Sequence, residues 1–211
     1  IQTFAEWCLK DPVEVEIARR AVPSTVTHAF YPVAMSQRDE LLLALLNKTD
    51  FHSVMIFTRT RKEADSVASL LRQKGLDKVA AMHSDIKQTD RMKALKGFKD
   101  GLYEVLVATD VAARGIDISN VTHVINYRVP ENAEDYVHRI GRTGRAEQEG
   151  DAFTLLTADE LDFATSVERF IDKKIDRKKL EDFEYAYTAI LDDKPSKPIR
   201  RPRRPSGRRR K

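Results

Sequence analysis

Val54-Met55-Ile56-Phe57-Thr58-Arg59-Thr60 decides the fold. Four consecutive apolar residues with no polar alternation read as a strand buried on both faces, the pattern of a parallel sheet. The polar step that follows opens a helix, with Thr60 at the N-cap and Glu63 three residues on, as in a capping box. Val67, Leu70 and Leu71 then face inward and Gly75 is the stop. The same unit repeats in both directions. Val26 to Val33 reads as extended, and Ser36 starts a helix with Asp39 at its third position and Leu41, Leu42, Leu45 and Leu46 on one face. Lys78 to Met82 is a strand, followed from about Gln88 by a helix whose buried stripe is Met92, Leu95 and Phe98, with Gly101 past its end. Val105 to Ala108, Val121 to Asn126 and Ala152 to Leu156 read as further strands, with a helix over Ala133 to Ile140. Strand and helix alternating through short links predict an α/β fold: a parallel sheet wrapped on both faces by right-handed crossovers. Ligands of such sheets lie beyond the carboxyl ends of the strands.

Composition narrows the possibilities. The 211 residues suit one α/β domain with appendages, and a domain of that size buries a substantial core. No apolar run approaches twenty residues and no signal-peptide pattern appears, so the sequence predicts no membrane span. One cysteine, Cys8, cannot close an internal disulfide, and no Cys/His cluster has zinc spacing; a reducing, cytoplasmic setting fits. The net charge of +4 is uneven. Residues 200–211 carry eight positive charges, which leaves the rest of the chain at −4. That Pro-broken basic tail cannot build a core and reads as disordered.

The unusual polar residues follow the strands. Thr58-Arg59-Thr60, His83-Ser84-Asp85 and the run Thr109 to Asp117 all stand where the ligand edge of the sheet is predicted. The densest chemistry is Tyr136-Val137-His138-Arg139-Ile140-Gly141-Arg142-Thr143-Gly144-Arg145. Three guanidiniums held this close repel one another unless a polyanion sits opposite, and each offers a planar fork of donors that matches phosphate oxygens. Gly141 and Gly144 remove side chains where the backbone turns or approaches another surface. A solvated basic loop is the bland alternative.

These residues carry a resemblance. Thr109-Asp110 with Ala113-Arg114-Gly115-Ile116-Asp117 is similar to motif V of the DEAD-box ATP-dependent RNA helicases, and His138 through Arg145 resembles their motif VI without a mismatch. Gln88 and Arg91 match the Gln-x-x-Arg element, and Met55-Ile56-Phe57 with Thr60 looks like motif IV. The likeness runs from about residue 1 to residue 190. Lys179 to Tyr185 resembles the segment that closes this domain in bacterial RhlE-like members. The resemblance implies the second, C-terminal RecA-like domain of such a helicase. Residues 1–22 then look like the end of a preceding domain and its linker, 23–190 the RecA-like domain, and 191–211 an Arg-rich tail.

No Gly-x-x-x-x-Gly-Lys-Ser/Thr and no Asp-Glu-Ala-Asp box occurs in the 211 residues, so the resemblance implies half of an active site. ATP and most of the Mg²⁺ coordination would belong to an N-terminal RecA-like domain, and the chain alone would be inactive. Arg142 and Arg145 match the arginine fingers, while Gly115 and Asp117 would meet the nucleotide. Arg59, Ser84, Arg91 and Thr109 match positions on the RNA backbone. Gln88, Asp110, Arg114, His138 and Arg139 match residues that hold the two domains in register, although Asp110 fits a simple helix cap equally well. The implied activity is ATP-driven unwinding of short RNA duplexes.

Two departures stand out: Ser84 where the family has glycine, and Arg128 where it commonly has aspartate. The tail reads as an electrostatic tether for RNA, with localisation, docking or solubility as alternatives. Two other classes remain open from the residues: a non-catalytic RNA-binding or regulatory module, and a DNA translocase of the same superfamily.

Overall fold

The computed structural model describes residues 22–114, 116, 118, 121–144 and 149–186. Six strands form one sheet: β1 (Val26–Pro32), β2 (Val54–Thr58), β3 (Val79–Met82), β4 (Val105–Thr109), β5 (His123–Asn126) and β6 (Gly150–Leu156). Their order is β1-β6-β5-β2-β4-β3, and every neighbouring pair is parallel. Among the described residues, six α-helices follow or cover them: α1 (Arg38–Lys48), α2 (Arg61–Gln73), α3 (Gln88–Lys99), α4 (Asp110–Ala113), α5 (Ala133–Ile140) and α6 (Leu161–Ile171). The expected RecA-like α/β architecture is present.

Strand β2 lies between β4 and β5 and is buried along all five residues, which is why its sequence is apolar without alternation. Successive side chains point to opposite faces. Val54 and Ile56 pack with Leu41, Leu42, Leu45 and Leu46 of α1 and Ala64, Val67 and Leu71 of α2. Met55 and Phe57 pack with Leu95 and Phe98 of α3, Tyr136 and Ile140 of α5, and Ala164 and Val167 of α6. Each such fully buried large side chain contributes about 1.5–3 kcal/mol. Two separate cores, one per face, hold the sheet rigid between them.

The capping box of α2 forms as its sequence predicts. Thr60 Oγ1 accepts from the Glu63 amide at 3.2 Å, and Glu63 Oε2 accepts from the amides of Thr60 (3.3 Å) and Arg59 (3.1 Å). Gly75, at φ +90°, ends that helix in the left-handed region that glycine enters freely.

Three readings change. Ser36 does not cap α1: residues Met35–Gln37 form a 3₁₀ turn, α1 starts at Arg38, and Asp39 accepts from Tyr127 Oη at 2.6 Å instead. Met92 is 54% exposed, because the inward face of α3 is Ala94, Leu95, Gly97 and Phe98. That face turns toward Tyr103, whose ring comes so near Gly97 that a Cβ there would stand 2.7 Å from it. Finally, α6 has no counterpart in the periodicity reading. It is tied back by Glu168, buried at 4% exposure, which accepts from Lys174 Nζ (2.7 Å), the Ile175 amide (3.0 Å) and Arg177. Residues 176–178 then run beside β1, with Phe30 N–H donating to Asp176 O (2.9 Å) and Lys178 N–H to Phe30 O (2.8 Å). The readings of residues 1–21 and of the tail lie outside the described residues. No described helix is long and apolar enough to cross a membrane.

Candidate functional site

Because all six strands are parallel, Arg59 after β2, Ser84 after β3, Asp110 after β4 and Arg128 after β5 stand along one edge of the sheet. The polar residues that follow the strands in sequence therefore face a common rim.

Arg139 organises the centre of that rim. It is only 3% exposed, and its guanidinium forms a two-point pair with Asp110: Nε to Oδ1 at 2.7 Å and Nη2 to Oδ2 at 2.6 Å. Its Nη1 donates to Asn126 Oδ1 and to the Arg128 carbonyl, both at 3.1 Å, and the guanidinium lies 5.1 Å from the Phe57 ring centre. Asn126 in turn donates to Thr154 Oγ1 at 2.9 Å. The ends of β4 and β5, Thr154 of β6 and the last turn of α5 are thus joined through one buried cation. Asp110 is the first residue of α4 and takes this pair rather than a cap bond.

Beside this pair lies a small, shallow depression lined by Asp110, Arg114, Asp135, His138, Arg139 and Arg142. Arg114 reaches Asp135 Oδ1 at 2.5 Å. His138 is exposed, with Glu134 and Asp135 each 3.9 Å away. Arg142 Nη1 donates to the Ile116 carbonyl at 2.9 Å, which sets its guanidinium at the mouth of the depression. Gly115, Asp117 and Arg145 lie outside the described residues.

The backbone after α5 explains the glycines. Gly144 has φ +67°, and a Cβ there would collide with Val26 and Thr25. Thr143, fully buried, donates to the carbonyls of Val121 and Thr122, and Thr25 Oγ1 donates to Gly144 O at 2.5 Å. The arginine-bearing turn is clamped to the starts of β1 and β5.

The remaining site residues divide between two places. Gln88 Oε1 accepts from Arg91 Nη1 at 3.0 Å, and Arg91 Nη2 donates to the Ala112 carbonyl at 3.2 Å, so this pair braces α4 against α3. Arg91 Nε is buried without a hydrogen-bond partner. Thr109 is buried at the end of β4. Ser84 is exposed in the turn after β3, and its φ is not positive, so the backbone there does not require glycine. Arg59 donates to the Val129 carbonyl (3.2 Å), pairs with Glu131 (3.2 Å) and Glu160 (3.4 Å), and packs over the Phe163 ring at 5.2 Å.

Electrostatics keep the neighbouring phenols neutral. Burial, reinforced by the bond to Asp39, pushes the Tyr127 hydroxyl well above its ordinary range. Burial does the same to Tyr136, whose hydroxyl meets His28 Nδ1 at 3.0 Å.

The sequence reading missed Asn126, Glu63 and Glu160 as partners of these arginines. Asn126 is a polar residue closing an apolar strand, a signal that can be read locally; Glu160 is not, because its partners come from three distant segments.

Residues 37–147 match the family model described as the helicase conserved C-terminal domain. The chain is 41% identical over 177 residues to the DEAD-box ATP-dependent RNA helicase RhpA of Helicobacter pylori, covering 83% of this chain and 36% of that protein. It is 40% identical over 180 residues to CshA of Bacillus subtilis, a helicase of the same description, covering 85% of this chain and 36% of the relative. The chain belongs to the DEAD-box helicase family. It spans about a third of the length of these curated relatives.

Solved DEAD-box structures share the fold. The E. coli DEAD-box protein SrmB, bound to the regulator of ribonuclease activity RraA, superposes with a TM-score of 0.67 at 35% identity, over 73% of this chain and 91% of that one. S. cerevisiae Dbp5 bound to RNA and ADP BeF3 gives 0.76 at 25% identity, over 86% of this chain and 49% of that one. Within this DEAD-box domain, the Arg139–Asp110 pair joins the motif V and motif VI segments directly.

Proposed function

We propose that this chain is the C-terminal half of an ATP-dependent RNA helicase motor, supplying arginine fingers to a nucleotide held on the P-loop of an N-terminal RecA-like domain. The observation that carries the reading is the pinning of α5 by buried Arg139, which leaves Arg142 lining a depression shared with Arg114 and His138 and with the carboxylates of Asp110 and Asp135. That donor set suits the oxygens of a triphosphate. Bound ATP would supply the γ-phosphoryl group that is transferred to water once closure of the two domains brings this rim onto the triphosphate. Arg142 and Arg145 would neutralise the charge that develops on it, a role worth about 10³–10⁵ in rate. Gly115 and Asp117 would meet the nucleotide, with Gly115 letting the backbone approach and Asp117 accepting from the ribose. Among the described residues no group of three or more His, Cys, Asp or Glu is arranged to hold a metal, and Mg²⁺ is assigned to the first domain.

Arg59, Ser84, Arg91 and Thr109 are assigned to the sugar-phosphate backbone of RNA. Such contacts carry no base information, so binding is independent of sequence and weakens with salt. Asp110, Arg114, Gln88, His138 and Arg139 would keep the nucleotide-side surface in register against the first domain. We assign residues 23–190 to the domain, 1–22 to the end of a preceding domain and its linker, and 191–211 to a tail that tethers RNA.

Trans-complementation tests the division of labour. ATP turnover of the 211-residue chain should stay at background with RNA present, and appear when a separately purified P-loop domain of a DEAD-box relative is added. Turnover by the chain alone would contradict the assignment of the P-loop to another domain.

A further inference from the structure

A second arginine cluster lies beside the Arg139 network, and the functional reading uses only one of its members, Arg59. Glu160 is fully buried, yet three guanidiniums converge on it. Its Oε2 accepts from Arg38 Nη2 at 3.1 Å, and its Oε1 is shared by Arg128 Nη1 at 3.3 Å and Arg59 Nη2 at 3.4 Å. The three cations are not held alike. Arg38 is buried and has a second bond, to Thr157 Oγ1 at 2.7 Å, besides packing over the Tyr127 ring. Arg128 has a second carboxylate, Glu63, as partner of its Nε, and Asp159 lies 4.0 Å from its Nη1. Arg59 has the longest contact with Glu160, and its side chain is the most open of the three at 29% exposure. Its other carboxylate, Glu131, is 63% exposed and so well screened.

Glu160 Oε1 is therefore a contested acceptor. Arg128 takes it with a guanidinium already aimed by Glu63, and Glu63 uses its other oxygen on the amides of Arg59 and Thr60. Without a cation at position 128, Arg59 would face Glu160, Glu63, Asp159 and Glu131 with only Arg38 to offset them. It would be drawn inward and neutralised within the fold. Two like charges behind it have the opposite effect, since a guanidinium pressed by neighbours of its own sign gains most from an outside anion.

We propose that Arg128 is a positioning residue for Arg59: by occupying Glu160 and Glu63 it leaves the Arg59 guanidinium available to a backbone phosphate of single-stranded RNA. This rests on the reading of Arg59 as an RNA contact. It gives the departure at position 128 a physical role, because an aspartate there would add a fifth carboxylate beside Arg59.

The test is the affinity of the 211-residue chain for a labelled single-stranded RNA, measured by fluorescence anisotropy over a series of salt concentrations. Arg59→Met and Arg128→Met should each weaken binding several-fold and lower the log–log salt slope by about 0.7, the value of one phosphate contact on a single strand. The double variant should bind no more weakly than Arg59→Met, and Arg128→Lys should restore affinity because it keeps the charge. Thermal unfolding of each variant separates loss of fold from loss of contact. If Arg59→Met weakens binding and Arg128→Met does not, the positioning role is overturned while the RNA reading stands. Losses that add in the double variant overturn it too, since Arg128 would then meet RNA by itself. Full affinity in Arg59→Met overturns the RNA reading and the positioning role together.

Discussion

At the scale of single residues, Arg139 bears the greatest structural demand. A cation at 3% exposure is costly to hold in the fold unless each of its donors finds an acceptor, and Asp110, Asn126 and the Arg128 carbonyl supply them. Asp110 itself is 24% exposed and would be partly resolvated, so loss of the pair falls in the range of hydrogen bonds to a charged group, about 1.5–3 kcal/mol. Arg139→Met should therefore lower the unfolding free energy of the chain by an amount in that range, measured by urea denaturation. A change below about 0.5 kcal/mol, the size seen at ordinary surface sites, would show that Arg139 is not the keystone of this edge. Part of this was legible beforehand. Three arginines within a few residues announce an anionic counterpart, but their spacing cannot say which one turns inward. Arg139 and Asp110, read as residues that face a second domain, bond each other inside this one.

At the scale of elements, what could be read was what chemistry fixes locally. The Thr60–Glu63 box forms because both partners lie within one turn of helix, and the apolar run of β2 reports burial on both faces. Ser36 departs from its reading for the opposite reason, since Tyr127 comes from elsewhere in the chain to claim Asp39, while Met92 is exposed because the buried face of α3 is Ala94, Leu95, Gly97 and Phe98. The α6 segment escaped because its anchor is a charged residue. Burial alone would raise the Glu168 pKa, but the bonds from Arg177, Lys174 and the Ile175 amide outweigh it and hold the carboxyl below the usual glutamate range. A depressed folded-state value contributes stability that is fully present above the unfolded pKa of about 4.3 and is lost as pH falls through the folded value. Glu168→Gln should thus cost about 1.5–3 kcal/mol at pH 7, the range for hydrogen bonds to a charged group. The gap from wild type should narrow steadily below about pH 4. A gap that is independent of pH down to 3 would mean that Glu168 acts by shape rather than by charge.

At the scale of the whole molecule, the parallel sheet explains why residues scattered from Arg59 to Arg142 can serve one purpose. Every strand delivers its last residue to the same edge, and two separate cores keep that edge rigid. One end of the rim collects Arg139, Arg114 and Arg142, and the other collects Arg38, Arg59 and Arg128, with the Arg128 carbonyl bonded to Arg139 between them. The motifs made the first group legible. The second was not, because Glu160 meets partners far apart in sequence. The central claim is that the first group acts on a phosphoryl group held by another domain. RNA-stimulated ATP turnover of the full-length helicase carrying Arg142→Lys tests it most directly, since lysine keeps the charge and loses the planar fork. Turnover should fall at least about a hundredfold with RNA affinity little changed. Turnover close to wild type in that variant would contradict it.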